Sequence, residues 1–158
     1  MRYGDATAFK AALTAHLRKQ HPDEDVGRLL KRAMMERFLV RIAQALPDHA
    51  LLKGGYAMEL RLERARATKD LDLAMRDVTA DEAIDALRDA GELELDDHLV
   101  YLVQETTAVM PQAAPYGGSR LSVVPLLGGR TFQPFPLDVG VGDAMPQTPD
   151  VLRGGLDL

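Results

Sequence analysis

Apolar residues recur at four-residue spacing through the first part of the chain and then change to short runs and strict alternation. In "TAFKAALTAHLRKQ", residues 7–20, Phe9, Leu13 and Leu17 share one face, which predicts a helix with Thr7 as N-cap. His21-Pro22 interrupts it. A second helix is predicted over 24–46, with Leu30, Met34, Phe38, Ile42 and Ala45 as its apolar stripe and Arg37 and Arg41 towards another side. Pro47 follows its end as a stop. "ALLK" at 50–53 reads as a short buried strand. Gly54 and Gly55 then permit a sharp turn into a helix across roughly 56–63, with Met58 and Leu62 packing inward. "KDLDLAM" at 69–75 reads as a strand. Thr79 to Glu82 is a capping-box pattern opening a helix that Gly91 ends. "HLVYLVQ" at 98–104 is a further strand. After a loop carrying Pro111 and Pro115, residues 119–127 and 130–141 read as a hairpin around Gly128-Gly129. The order α, α, β, α, β, α, β, β, β places the chain in the α+β class, a mixed β-sheet packed by helices.

The 158 residues suit a single domain, 1–158, with N-terminal helices at 1–48, a core at 49–145 and a tail at 146–158. There is no cysteine, which excludes disulfides and thiolate metal sites. The start shows no apolar core of signal-peptide type, and no stretch approaches the roughly 18 apolar residues of a membrane span, so a cytoplasmic location is expected. The net charge of −5 hides an asymmetry: residues 1–69 carry 14 Lys/Arg against 8 Asp/Glu, and residues 70–158 carry 5 against 16. A basic first part suits phosphate-bearing partners, although solvated helix faces give the same count.

The chemistry concentrates in the carboxylates. Asp70 and Asp72 flank Leu71, and alternate residues of a strand share a face, so both acids point one way about 6.5 Å apart while Leu71 and Leu73 anchor the core. In "FQPFPLDVGVGD", Asp138 is the one charge on the small face of an alternating strand. Bringing that strand beside the first completes a three-acid cluster able to hold two Mg²⁺ ions, because Mg²⁺ prefers carboxylates and substrate phosphates. Each feature alone has a plainer reading. An isolated Asp-x-Asp is most often a solvated strand edge, and a Gly-Gly after a strand is most often only a turn. Their combination carries the weight: strand, Gly-Gly, helix, Asp-x-Asp strand, then a later strand with a single Asp. Glycine there lets backbone N–H groups approach a triphosphate at a helix N-terminus.

At these residues the chain resembles the nucleotidyltransferase superfamily with the polymerase β-like fold. More narrowly it resembles the AbiEii/AbiGii toxin family, which includes the MenT toxins of type IV toxin–antitoxin systems. "ERFLVRIAQALPDHALLKGGYAMELRLERARATKDLDLAM" at 36–75 and "GGSRLSVVPLLGGRTFQPFPLDVGVGD" at 117–143 carry the resemblance. It implies a Mg²⁺-dependent enzyme, with a two-ion site, that transfers a nucleoside monophosphate from an NTP to an RNA acceptor, often a tRNA 3′ end. It also implies a cognate antitoxin as partner. Carried over, Gly54 and Gly55 contact the triphosphate, Asp70 and Asp72 bind Mg²⁺, and Asp138 helps activate the acceptor hydroxyl. Lys53, Arg66 and Lys69 flank these motifs and are candidates to steady phosphate by proximity. Members usually continue past the third acid into a helical half, so the fold expected here is the nucleotidyltransferase fold without that half.

The competing reading is a catalytically incomplete module that keeps the scaffold and binds a completing partner chain or a second copy of itself. A sugar-nucleotide transferase using Asp-x-Asp fits less well, because the first 69 residues leave no room for the nucleotide-binding unit that normally precedes the motif. His16, His21, His49 and His98 are scattered without metal-ligand spacing. Tyr56 is expected to pack in the core.

Overall fold

The computed structural model describes residues 4–62, 68–106, 118–142 and 148–156. Helix α1 (Ala6–Gln20) is capped by Asp5 and not by Thr7, because the Asp5 carboxylate reaches the Ala8 N–H at 2.8 Å. Its Leu13 and Leu17 are buried and Phe9 packs at the rim of the core. Helix α2 (Val26–Ala45) is capped by Asp25 in the same way. Met34, Phe38 and Ile42 are buried, as the predicted stripe requires, while Leu30 is half-buried and Ala45 exposed.

Arg41 departs from the expected pattern. It is 0% exposed. Its Nη2 and Nη1 donate to the two Asp97 oxygens at 2.7 and 3.0 Å, and its Nε and Nη2 reach the Leu93 and Leu99 carbonyls. Arg37 Nε adds a bond to Asp97 at 2.8 Å. A buried charge persists only where its donors are satisfied, and here they are. Burial alone would raise the Asp97 pKa, but the hydrogen bonds from Arg41 and Arg37 outweigh it and hold the carboxyl below its ordinary range.

Strand β1 (Ala50–Lys53) turns at once into α3 (Gly54–Arg61). This helix begins earlier than predicted and presents a different face. Tyr56 is buried and donates to Glu36 Oε1 at 2.9 Å, while Met58 and Leu62 are 52% and 53% exposed instead of packing inward. Strand β2 (Leu71–Met75) follows, then α4 (Ala80–Glu92) with the complete Thr79/Glu82 capping box, and β3 (Leu99–Glu105). Strand β4 (Gly118–Leu127) is followed by β5 (Arg130–Thr131) and β6 (Phe135–Val141). The long strand predicted at 130–141 is therefore broken ahead of Phe135, at Pro134, which has no N–H for a ladder.

The described strands form one mixed sheet in the order β1-β2-β6-β4-β3, with β5 beside β4. The β2–β6 pair is parallel and the others are antiparallel. Leu71, Leu73, Leu121, Val123, Phe135, Leu137 and Val139 are buried with α2, and the Phe38 ring lies 5.1 Å from Tyr101 and 6.0 Å from Phe135. Residues 148–156 lack regular structure but are docked. The Gly155 and Leu156 N–H groups both donate to the Glu36 carboxylate at 3.1 Å, and Arg61 pairs with Asp150 at 2.7 Å. Among the described residues no helix is long and apolar enough to cross a membrane.

Candidate active site

Because Leu71 and Leu73, Leu137 and Val139, and Leu121 and Val123 all point into the core, the residue between each pair faces the other way. Those residues are Asp72, Asp138 and Ser122, with Arg120 next to Leu121 on the same outward face. The register aligns them. Lys53 on β1 pairs with Asp72 on β2, Asp72 with Asp138 on β6, and Asp138 with Arg120 on β4. The result is a charged row across four strands: two acids at its centre, about 4.8 Å apart on neighbouring strands, and a cation at each end.

Asp70 sits just outside this ladder, because β2 begins at Leu71. It joins the row through Arg120, whose Nη2 donates to Asp70 Oδ2 at 3.3 Å. The same guanidinium grips Asp138 with two bonds, Nε to Oδ1 at 2.8 Å and Nη2 to Oδ2 at 3.0 Å. These bonds, Asp138 first, raise the Arg120 pKa above its usual value. The side chains of Arg120, Asp138 and Asp70 remain 28%, 27% and 42% exposed. Part-exposed pairs of this kind contribute about 1 kcal/mol or less, so the guanidinium can exchange for another cation at little cost.

The two glycines have a local cause. Gly54 has φ +69°, and a Cβ there would lie 2.6 Å from Asp72 Oδ2 and 2.9 Å from Asp72 Cβ. A Cβ on Gly55 would lie 3.1 Å from Thr68 Oγ1. The first turn of α3 thus rests directly on Asp72 and on the chain leading to Asp70. Lys53 is both the N-cap position of α3 and the end of the charged row. Lys69 is exposed beside Asp70. Arg66 lies outside the described residues.

Three carboxylates are the hard oxygen donors that Mg²⁺ takes. Asp138, however, commits both oxygens to Arg120, and among the described residues no three His, Asp or Glu side chains stand at metal-holding spacing. The donor chemistry fits the ion, and holding it requires Arg120 to turn aside. Arg120 is the residue that reading the sequence missed. The alternation of "SRLSVV" already put it on the face opposite Leu121, but only the strand pairing brings it to Asp138.

The family model described as "Nucleotidyl transferase AbiEii toxin, Type IV TA system" matches residues 37–153, a span that contains Lys53, the glycine turn, all three acids and Arg120. The chain belongs to the AbiEii family. Its fold is also similar to the crystal structure of JHP933 from Helicobacter pylori, with a TM-score of 0.52 at 17% identity over 78% of this chain and 50% of that one. That likeness shows a shared fold, a mixed sheet packed by helices, and this AbiEii member spans half the length of the solved chain. A comparison with proteins of curated function finds no match.

Proposed function

We propose that the chain carries a nucleotidyltransferase site that moves a nucleoside monophosphate from an NTP to a hydroxyl of an RNA acceptor, a tRNA 3′ end, as the toxin of a type IV pair. The observation that supports this reading most is the in-register pairing of Asp72 with Asp138 beneath the Gly54-Gly55 turn, in a chain of the AbiEii family. In the transfer, the acceptor hydroxyl gives up its proton to Asp138 as its oxygen forms a bond to the α-phosphorus, the bond from that phosphorus to the bridging oxygen breaks, and pyrophosphate leaves. Asp70, Asp72 and Asp138 are the residues that would hold Mg²⁺. When bound, it supplies charge to polarise the acceptor hydroxyl and neutralise the leaving pyrophosphate. Backbone N–H groups at the start of α3 receive phosphate oxygens, and Lys53 and Lys69 bring cationic charge to the same end of the sheet. For the acids to hold the ion, Arg120 would have to release Asp138 and Asp70. A cognate antitoxin is the partner that the family implies.

The test incubates the purified chain with total tRNA, Mg²⁺ and each labelled NTP in turn. Label passes to RNA with at least one NTP, and Asp72→Asn abolishes it while the far-ultraviolet spectrum is unchanged. Folded wild-type protein that labels nothing and does not bind a divalent ion would refute the enzyme reading. It would favour instead the module that keeps the scaffold and binds a protein partner, which the Arg120 ion pairs with Asp70 and Asp138 suit.

A further inference from the structure

A groove of about 660 Å³ lies between the N-terminal half of α2, α3 and the residues that lead into Asp70. Arg28, Lys31 and Arg32 line it from α2, and Lys69, the sequence neighbour of Asp70, lines it from the residues ahead of β2. Its acids each have a hydrogen-bond partner within the fold. Glu24 pairs with His21 at 3.0 Å, Asp25 caps α2 through the Arg28 N–H, and Glu59 accepts from the Thr68 N–H at 2.8 Å. Arg32 is likewise engaged, with Glu36 at 3.2 Å and Glu59 at 3.8 Å. Arg28, Lys31 and Lys69 have no ion-pair partner among the described residues.

Basic side chains on a helix ordinarily just face water. Here they line a concavity in which four cations outnumber three acids, and the last cation of the series is the sequence neighbour of Asp70. Arg28 and Lys31 stand three apart on α2, so their Cβ atoms are about 5–6 Å apart, a spacing suited to successive phosphates of one strand. Among the described residues no aromatic side chain lines the groove, so they offer no platform for stacking bases. The surface therefore suits a backbone and carries no base readout.

We infer that this groove holds the phosphodiester backbone of a single-stranded RNA acceptor and delivers its terminal hydroxyl to the acid row. The inference rests on the nucleotidyl-transfer reading and adds to it where the acceptor lies. Arg28 and Lys31 are positioning residues, remote from the reacting atoms, and Lys69 joins the groove to the site.

The experiment compares the full chain with its Arg28→Glu/Lys31→Glu variant. A short 5′-labelled single-stranded RNA is titrated by fluorescence anisotropy at several KCl concentrations, and a fluorescent NTP analogue is titrated in parallel. The variant is expected to bind RNA about tenfold more weakly, with a log–log salt slope shallower by roughly 1.4 for two lost phosphate contacts. Its affinity for the nucleotide analogue and its melting temperature stay unchanged. In the transfer assay, KM for RNA rises while kcat holds.

RNA binding by the variant equal to wild type in affinity and slope overturns the groove assignment and leaves the transfer reading standing. Wild-type chain that binds no RNA and labels a protein instead also overturns it. RNA binding that depends on these two residues, in a chain that transfers nothing from any NTP, keeps the groove as an RNA site but overturns its delivery role together with the enzyme reading.

Discussion

Gly54→Ala tests whether the glycine turn really sits on Asp72. Gly54 has φ +69°, where an L-residue costs about 1–2 kcal/mol. The added methyl would also lie 2.6 Å from Asp72 Oδ2 and 2.9 Å from Asp72 Cβ. The carboxylate oxygen can rotate away. The Cβ cannot, because it is fixed to β2 between Leu71 and Leu73, which are 0% and 1% exposed. Either α3 or β2 must shift, and forced overpacking costs about 1–3 kcal/mol. The total is roughly 2–5 kcal/mol. Gly129→Ala is the control: Gly129 has φ +78°, and an added methyl would meet nothing within 4 Å, so only the backbone cost applies. Urea unfolding of both variants should separate them by about 1–3 kcal/mol, Gly54→Ala being the less stable. Equal losses would mean that the turn does not rest on Asp72, and the proposed nucleotide cradle would lose its geometric basis.

Asp97→Ala leaves Arg41 buried and unpaired and should cost about 3–5 kcal/mol, read by the denaturation midpoint. The folded-state pKa of Asp97 is depressed, so its contribution to stability is fully present above the unfolded value near 3.9. That contribution falls away as pH drops through the folded value, and an acid titration of the melting temperature should show the variant losing less than wild type. Thr79→Ala removes one half of the α4 capping box and should cost about 1 kcal/mol by the same measurement. Arg120→Gln frees Asp138 and Asp70 from an interaction of about 1 kcal/mol, so Mn²⁺ affinity by calorimetry should rise roughly fivefold. Unchanged affinity would show that the guanidinium does not compete for the acids.

The sequence made much of this architecture readable because its signals were local. The capping box at Thr79, the Gly-Gly turn and the alternation around Asp138 each depend on neighbours a few residues away, and the class of mixed sheet followed from their order. What escaped depends on distant partners. Arg41 looks like an ordinary surface arginine of a helix until Asp97 and the Leu93 and Leu99 carbonyls arrive to satisfy it. Met58 and Leu62 carry the right spacing for an inward stripe, yet the hydroxyl of Tyr56 finds Glu36 and sets the rotation of α3. Arg120 needed the β4–β6 register to reach Asp138. The three acids were visible as residues, and the guanidinium that joins Asp70 to Asp138 was not.

The parallel pairing of β2 with β6 has a consequence for how the chain comes to life. Asp72 and Asp138 meet only when β6 inserts between β2 and β4, after α4, β3 and β4 have all been synthesised. Closing so long a loop is slow and is rewarded only late in folding. A nascent chain on the ribosome therefore carries half of its acidic pair with no counterpart until β6 has emerged.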